Sequence, residues 1–241
     1  VLLYQLQQSD NNQLHFSGNS ADVSGGALYC SFCCPVLTNC TFSGNSAGSA
    51  GGAILCYIHS NLTIANCTFS NNGAKYGGAI RCSNSTLTVT NCTFNDNTAN
   101  DRGGAICCSF YSSLKLTSCK FSGNSAGDDG GAIYCSDSGN PTVTNCTFSG
   151  NSANEGGAIY CTDYGSPTVT NCTFSSNSAN RHGGAIYCLW RSSPTLTNCT
   201  FNGNSAGESG GAIYCDSSSP TVVNCTFNSN SATTYHGGSI Y

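Results

Sequence analysis

The sequence predicts an all-β protein, a right-handed parallel β-helix (β-solenoid) of about nine coils, on the basis of three observations. A unit close to N-C-T-F-S-G-N-S-A-x-x-x-G-G-A-I-Y-C recurs every 25–27 residues along the chain of 241 residues. Its apolar residues alternate with period two, the pattern of a β-strand, and turn residues separate the alternating runs. Because self-similarity at this period indicates stacked repeats, residues 1–241 are predicted to form a single β-solenoid domain without a separate capping domain.

Charged residues at three variable positions indicate which side of each strand faces outward. Arg81 replaces the Tyr of A-I-Y-C, Lys120 replaces the Thr of C-T-F, and Lys115 lies between two leucines. A charge is costly inside a narrow solenoid, so these positions face out and the Ile, Cys, Phe and Val/Leu positions beside them face in. Each coil is therefore predicted to contain three short strands, P-T-V-T, C-T-F-S and G-A-I-Y-C. A corner is predicted at the Asn of N-C-T, where the alternation fails.

An asparagine follows the phenylalanine of every unit by three residues. Stacked at one bend, these side-chain amides are predicted to hydrogen-bond from coil to coil. The alternative is a turn residue in the left-handed conformation, and both roles are structural. The nine residues are Asn19, Asn45, Asn72, Asn97, Asn124, Asn151, Asn177, Asn204 and Asn230.

The composition restricts the classes of partner. Only 7% of the residues are charged, the net charge is −4, and the seven Lys and Arg residues form no cluster. This argues against nucleic acid or an anionic membrane as a partner. No apolar run approaches the ~20 residues of a membrane span. Since no basic and apolar leader opens the chain, we expect a mature form or a fragment.

The repeats resemble those of a known family. G-G-A-I and F-x-x-N alternate through the chain, and all nine units match, with Gly-Gly-Ser-Ile at 237–240. This pattern resembles the polymorphic outer-membrane protein repeats, whose members are β-helical adhesins and autotransporter passengers. The resemblance implies a β-helix with an adhesive role. Two regular cysteines per coil depart from the family's pattern.

The cysteine content predicts an oxidising, extracellular location, either secreted or at the cell surface. Nineteen cysteines occur in a chain of low charge, which is typical of disulfide-bonded extracellular proteins. A metal–thiolate protein is the alternative, but zinc sites favour short C-x₂₋₄-C spacings, whereas these cysteines alternate at 10–11 and 15–16 residues. We therefore expect disulfides and no cofactor.

The cysteine that ends A-I-Y-C is predicted to pair with the N-C-T cysteine that follows it. The first coil has Leu14 at the N-C-T position and Gln5 near the preceding terminal position, so both partners are absent together. Pairing over the longer spans, or between adjacent coils about 4.8 Å apart, is the alternative. Cys33, Cys34 and Cys107 stand outside the pattern, and Cys107 is a candidate for an intermolecular bond, a local bond or a free thiol. The predicted pairs are Cys30 with Cys40, Cys56 with Cys67, Cys82 with Cys92, Cys108 with Cys119, Cys135 with Cys146, Cys161 with Cys172, Cys188 with Cys199, and Cys215 with Cys225.

Two surface features are predicted. Nine asparagines lie in N-x-[ST] sequons and are expected to carry N-linked glycans if the source is eukaryotic. They are Asn39, Asn61, Asn66, Asn84, Asn91, Asn145, Asn171, Asn198 and Asn224. The tyrosines of A-I-Y-C are expected to form an outward ladder, either a packing or sugar-binding face or a row of half-exposed β-formers. They are Tyr29, Tyr134, Tyr160, Tyr187, Tyr214 and Tyr241.

Catalysis is not predicted. Enzymes of this fold need clustered acids with Arg or Lys, whereas the acids here are scattered over the variable bend before Gly-Gly. They are Asp101, Asp128, Asp129, Glu155 and Glu208. The four histidines have neither triad nor metal spacing; they are His15, His59, His182 and His236.

The leading functional hypothesis is an extracellular structural protein whose copies stack head to tail into a durable filament. The chain opens at residues 1–5 and stops at 238–241 at nearly the same phase of the unit, so we expect a near-integral number of coils. Bare strand edges invite pairing, and a contact that does not close propagates as a filament. The alternative is an adhesin or carbohydrate-binding module cut from a longer surface protein. The partners expected are other copies of the chain and N-linked glycans, with no nucleic acid and no membrane span.

Overall fold

The computed structural model describes residues 13–137 and 140–241, which form four parallel β-sheets wound into a solenoid. Each full coil contributes one strand to each sheet, in the order Phe sheet, Ser-Ala sheet, Tyr sheet and Thr sheet, named after residues that recur in their strands. Neighbouring strands within a sheet come from successive coils. The predicted parallel β-helix is confirmed, with nine strands in the first two sheets and eight in the other two.

The strands are two to five residues long. The Phe sheet consists of His15–Ser17, Thr41–Ser43, Thr68–Ser70, Thr93–Asn95, Lys120–Ser122, Thr147–Ser149, Thr173–Ser175, Thr200–Asn202 and Thr226–Asn228. The Ser-Ala sheet consists of Ser20–Ala21, Ser46–Ala47, Gly73–Tyr76, Thr98–Arg102, Ser125–Ala126, Ser152–Glu155, Ser178–His182, Ser205–Ala206 and Ser231–Ala232. The Tyr sheet consists of Leu28–Ser31, Ile54–Tyr57, Ile80–Ser83, Ile106–Ser109, Ile133–Cys135, Ile159–Cys161, Ile186–Leu189 and Ile213–Asp216. The Thr sheet consists of Val36–Thr38, Asn61–Ala65, Thr86–Thr90, Ser113–Thr117, Thr142–Thr144, Thr168–Thr170, Thr195–Thr197 and Thr221–Val223.

The prediction of three strands per coil is wrong, because the Ser-Ala segment forms a fourth. Several of its strands are only two residues long, and just the alanine faces inward. Such a strand has no apolar alternation to reveal it. Ala99, Ala126 and Ala153 pack into a small buried cluster of their own.

The core consists of columns, each made of the same position in successive coils. Phe42 stacks between Phe16 and Phe69, with ring centroids 4.6 and 4.7 Å apart. The stack continues to Phe227 at spacings of up to 4.9 Å, which agrees with the usual distance between strands. The Ile, Cys and Val/Leu columns are likewise buried between the end coils. The inward facing of these four positions is therefore confirmed.

The buried asparagines form a continuous hydrogen-bonded ladder. Nδ2 of Asn124 donates to Oδ1 of Asn151 at 2.9 Å and to the main-chain carbonyl oxygen of Phe94 at 3.0 Å. Oδ1 of Asn124 accepts from the backbone N–H and the Nδ2 of Asn97, at 3.1 and 2.9 Å. The left-handed conformation belongs instead to the preceding residue, Gly123, at φ 64°. The ladder is confirmed, and the alternative turn role is wrong.

The corner at N-C-T is confirmed and has a left-handed backbone. The φ of Asn198 is 54°, and that of Ser118, which replaces the asparagine in one coil, is 55°. Asparagine tolerates this region better than most residues. The reversal lets Leu196 and Cys199 both face the core, which explains why the alternation fails there.

The Gly-Gly pair permits a tight bend and close stacking of coils. The first glycine is left-handed, as at Gly130 with φ 67°. The second packs against the backbone of the next coil, and a Cβ on Gly131 would overlap the carbonyl oxygens of Gly157 and Ser152. Both positions therefore require glycine, for different reasons.

Candidate binding groove

The tyrosine row of the Tyr sheet lies outside the core and packs as a column of its own. Ring centroids are 5.4 Å apart for Tyr134 and Tyr160 and 4.9 Å apart for Tyr160 and Tyr187. The expected surface ladder is wrong for these three residues, which are only 5–6% exposed. Burial raises the pKa of all three hydroxyls far above the usual range. Only the ends of the row are more open: Tyr29 and Tyr214 are half-buried and Tyr241 is exposed.

Side chains from the bend before Gly-Gly cover the buried tyrosines. They form an in-register bend column of Ser24, Ala50, Tyr76, Arg102, Asp129, Glu155, His182 and Ser209. The Arg102 guanidinium lies 5.1 Å from the ring centroid of Tyr134 and donates to its hydroxyl at 3.4 Å. The His182 ring stacks on Tyr214, with centroids 4.5 Å apart. Each of these side chains reaches the next coil, so repeat periodicity alone does not reveal the cover.

A groove opens where the bend column has small side chains. Ser24 and Ala50 are small members of the bend column, and together with Tyr29 and Leu55 they line a cavity of about 560 Å³. Its lining is mainly apolar and also includes Phe110. Mostly apolar clefts with a few polar groups are typical of ligand sites.

A second cavity, of about 420 Å³, continues the groove along the axis. The two cavities share Tyr76, Arg81 and Phe110, and the second also reaches Asp137 and Asp163. From the coil of Tyr29 to the coil of Asp163 the groove crosses five coil spacings, about 24 Å. It therefore has the shape needed for an extended ligand rather than a compact one.

Arg81 stands where the two cavities meet. Its Nη1 donates to the thiol of Cys107, and its Nη2 donates to the hydroxyl of Ser109 at 2.6 Å. The guanidinium also lies 5.6 Å from the ring centroid of Tyr76. A cation is thus fixed in the wall of the groove by neighbours on both sides.

An aromatic ridge runs beside the groove, in the loop between the Tyr sheet and the Thr sheet. It consists of Phe32, Phe110, Tyr111, Tyr164 and Trp190, which are 56–80% exposed. All five have a left-handed backbone, with φ between 51° and 66°. A bulky residue in that region costs about 1–3 kcal/mol. The loop therefore holds large rings in solvent against a conformational cost, which marks the ridge as the candidate contact surface.

The ridge escapes repeat-based prediction because its positions vary from coil to coil. Phe110-Tyr111 and Trp190-Arg191 occupy places that other coils fill with Asn84 or Ser217. A signal was present in the sequence: bulky pairs interrupt an otherwise small and polar loop. Phase arguments do not detect it, since the loop has no period-two pattern.

The structure brings together the acids that were expected to be scattered. Arg102 pairs with Asp129 at 3.3 Å, and Arg181 pairs with Glu155 at 2.9 Å and with Glu208 at 3.2 Å. Burial raises the pKa of Asp129 to about 7 despite the neighbouring Arg102. Each of these carboxylates contacts an arginine from the bend of a neighbouring coil. In residues 13–137 and 140–241 no group of three or more residues is arranged to hold a metal ion, and the absence of catalysis stays a prediction.

The regular cysteines stand in two columns. The Tyr-sheet thiol column consists of Cys30, Cys56, Cys82, Cys108, Cys135, Cys161, Cys188 and Cys215. The corner thiol column consists of Cys40, Cys67, Cys92, Cys119, Cys146, Cys172, Cys199 and Cys225. No cysteine of the described residues is joined in a disulfide. Neighbours along a column are in strand register, as Cys108 is with Cys135.

Pairing within a coil is wrong, because a strand of the Thr sheet separates the two cysteines. Sγ of Cys82 lies 3.5 Å from the carbonyl oxygen of Ser85, and Sγ of Cys92 lies 3.2 Å from that of Thr90. The five extended steps from Ser85 to Thr90 span about 16 Å. A disulfide needs Cα atoms within about 7 Å. The nine residues between Cys82 and Cys92 cross one face of the solenoid.

The three irregular cysteines differ in exposure. Cys107 is fully buried beneath Arg81, so the suggested intermolecular bond is wrong for this geometry. Cys33 is buried beside Cys30, and Cys34 is exposed. A local bond involving Cys33 is therefore compatible with its position.

All nine sequon asparagines are exposed. The corner asparagines stack along one edge, and Nδ2 of Asn171 donates to Oδ1 of Asn145 at 3.2 Å. Glycosylation of these residues stays a prediction.

Comparison with known protein families agrees with the observed fold. The family model described as "Right handed beta helix region" matches residues 5–129 and 127–241. No curated protein and no solved structure matches the chain significantly. The family match concerns β-helices in general and does not single out the polymorphic outer-membrane repeats. The part of the chain that the structure describes contains no helix with the length and hydropathy to span a membrane.

Proposed function

Because the chain belongs to the right-handed β-helix family, we propose that it is an extracellular carbohydrate-binding protein whose ligand lies along the aromatic ridge and the adjoining groove. The observation that carries the proposal is the ridge, with five exposed rings at left-handed positions in the loops of four coils. Flat aromatic rings pack well against the apolar faces of sugars. Exposed apolar patches rimmed by polar residues often mark such contact sites.

The groove supplies the polar groups that a carbohydrate also needs. Arg81 and Ser83 line the mainly apolar cavity, and Asp137 and Asp163 line the more polar one. The coils repeat every 4.6–4.9 Å, a spacing comparable with the length of one pyranose unit. An extended sugar polymer along the axis would thus meet the rings of some coils and the polar groups of others. This supports binding of a chain rather than of a single sugar.

The single tryptophan provides a direct test. Trp190 is the only tryptophan of the chain and is 60% exposed on the ridge. We expect its fluorescence to shift on titration with a soluble oligosaccharide of glucose, N-acetylglucosamine or galacturonic acid, and affinity to rise with the length of the oligomer. No shift and no calorimetric heat with any of the three would overturn the proposal.

Matched variants localise the site. Phe110→Ala and Tyr164→Ala remove ridge rings and are expected to weaken binding by about tenfold each, the loss of about 1.4 kcal/mol of contact. Tyr235→Ala removes a ring that is 64% exposed but outside the ridge, and it should leave affinity unchanged. An equal loss in the Tyr235 variant would contradict the assignment.

An adhesin-like role at the cell surface or in the extracellular medium is the setting we propose. It is supported by the nineteen cysteines, the nine exposed sequons and the resemblance of G-G-A-I and F-x-x-N to adhesin repeats. The measurement that checks it is whether the protein from its natural source is found outside the cell and has a mass that glycosidase treatment lowers.

Head-to-tail assembly into a filament is a second candidate. In the last described coil Phe227 is half-buried and Val222 is 38% exposed, whereas their register partners Phe201 and Leu196 are fully buried. A second copy in register would bury Phe227 and Val222 and extend the four ladders. Electron microscopy should then show threads, and Val222→Lys should disperse them. Separate short rods, or a longer natural chain whose next coil covers Val222, would count against this candidate.

A further inference from the structure

The two thiol columns place the cysteines of successive coils next to each other, and the proposed binding role does not require this. Cys82 is in strand register with Cys56 on one side and with Cys108 on the other. All three side chains face the core and are at most 1% exposed. The neighbours that each thiol meets therefore lie above and below it in the same column.

The corner thiol column repeats this arrangement. The backbone N–H of Cys119 donates to Sγ of Cys146 at 3.4 Å, and the backbone N–H of Cys146 donates to Sγ of Cys172 at 3.3 Å. Both columns thus have the same axial neighbourhood, although they belong to different parts of the coil.

The axial spacing fits a disulfide. The phenylalanine stack shows that successive coils rise by 4.6–4.9 Å, within the Cα separation of about 4.4–6.8 Å that a disulfide spans. The Cβ atoms of a bonded pair lie about 3.8 Å apart, so each pair must approach by about 1 Å. The two cysteines of a single coil are separated by a whole strand instead.

We propose that, in an oxidising compartment, disulfides form between axial neighbours within each thiol column and join successive coils covalently. The oxidant is a small-molecule disulfide such as oxidised glutathione. One cysteine thiolate attacks a sulfur of the oxidant, whose S–S bond breaks and releases a glutathione thiolate. The neighbouring thiolate then attacks the protein sulfur of the mixed disulfide and releases the second glutathione. Two protein thiols lose two electrons and two protons, and the oxidant gains them as two thiols.

Burial determines when these bonds form. Cys161 and Cys188 have no exposed surface, and burial raises the pKa of the Cys188 thiol well above its usual range. The thiolate is the reactive form, so the folded columns react slowly. Oxidation therefore accompanies folding, while a coil is not yet covered by the next one.

A peptide map distinguishes axial bonds from bonds within a coil. The reduced chain is refolded in oxidised and reduced glutathione, alkylated, unfolded and digested with trypsin without reduction. Cleavage after Arg81 and Arg102 gives peptide 82–102, which contains one cysteine of each column, Cys82 and Cys92. Axial pairing attaches both cysteines to other peptides, whichever neighbour each one takes.

We expect peptide 82–102 only in cross-linked species, with Cys82 joined to Cys56 or Cys108. Reduction should then release it. An unattached peptide with an internal bond, a peptide alkylated at both cysteines, or a bond between the two columns would overturn the proposal.

A Cys82→Ser variant gives an independent measurement. Axial pairing predicts a new alkylated thiol at Cys56 or Cys108, with Cys92 still bonded. Alkylated Cys92 in this variant would overturn the proposal. The wild-type chain folded under reducing conditions and only then exposed to oxidised glutathione is the control, and it should oxidise at least tenfold more slowly than the refolding chain.

Discussion

Replacing Asn124 with alanine tests the asparagine ladder as a source of stability. Asn124 is fully buried, and its side chain takes part in four hydrogen bonds of 2.9–3.1 Å. Truncation removes the acceptor of the Asn97 backbone N–H and a donor to the Phe94 carbonyl oxygen, and each buried group left unsatisfied costs about 1–3 kcal/mol. Adding the cavity left by the amide, we expect the free energy of unfolding to fall by about 3–5 kcal/mol.

The assay is guanidinium unfolding followed by circular dichroism, with the slope of the transition checked for each variant. The slope matters because a solenoid can lose coils from its ends before the rest unfolds. Asn180→Ala, at an exposed position of strand Ser178–His182, is the surface control and should change stability by less than about 0.5 kcal/mol. Asn230→Ala, in the half-buried last rung, should cost less than Asn124→Ala.

Two results would refute this reasoning. Equal midpoints for the Asn124 and Asn180 variants would show that the buried hydrogen bonds contribute no net stability. A loss at Asn230 as large as that at Asn124 would show that the cost arises from local backbone preference rather than from burial in the ladder.

Three other variants test the bend and the corner. In Gly131→Ala the new Cβ would overlap backbone atoms, so the free energy of unfolding should fall by more than about 3 kcal/mol. Gly150 has a left-handed φ but open space around it, so Gly150→Ala should lower the free energy of unfolding by only about 1 kcal/mol. Similar losses for the two variants in urea unfolding would contradict this reasoning. The pKa of Asp129 is raised by burial from 3.8 to about 7, so the folded chain holds a proton that the unfolded chain releases, and stability should fall as pH rises from about 4 to 7. Asp129→Asn should reduce this pH-dependent fall in the free energy of unfolding by about 1–3 kcal/mol. An unchanged dependence of stability on pH would refute the assignment. Corner asparagines of successive coils are only about 4.8 Å apart, so in a eukaryotic secretion host fewer sites should carry glycans than there are sequons. Intact mass before and after glycosidase treatment measures the number of glycans. Full occupancy of Asn145, Asn171 and Asn198 would contradict the expected crowding.

Much of the coil could be predicted because a charged residue at one position of the repeat shows which side of that strand faces solvent. Arg81 marks an outward position, and the structure buries its neighbours Ile80 and Cys82 completely. The same reasoning found the corner at N-C-T from a break in alternation, but not its left-handed backbone. It missed the Ser-Ala strand, because two residues with one small inward side chain are too few to show an apolar alternation.

The site was harder to predict because it depends on contacts between coils and on irregular loops. The tyrosines were correctly placed outside the core, but the cover over Tyr134 comes from Arg102 of the preceding coil, and period-two reasoning treats each strand alone. The cysteine pairing failed because separation along the chain was taken as separation in space. A short span that contains a strand ends far from where it begins.

The left-handed corner gives the sequons a cause that is independent of glycosylation. This position favours a residue that tolerates positive φ, and asparagine occupies it in seven coils, with Ser118 in an eighth. The next position must face the core, and the one after it must be a β-former facing solvent. These three requirements together produce N-C-T without any selection for sugar attachment. Lengthening the solenoid by one coil would therefore add one candidate acceptor as a by-product of turning the chain.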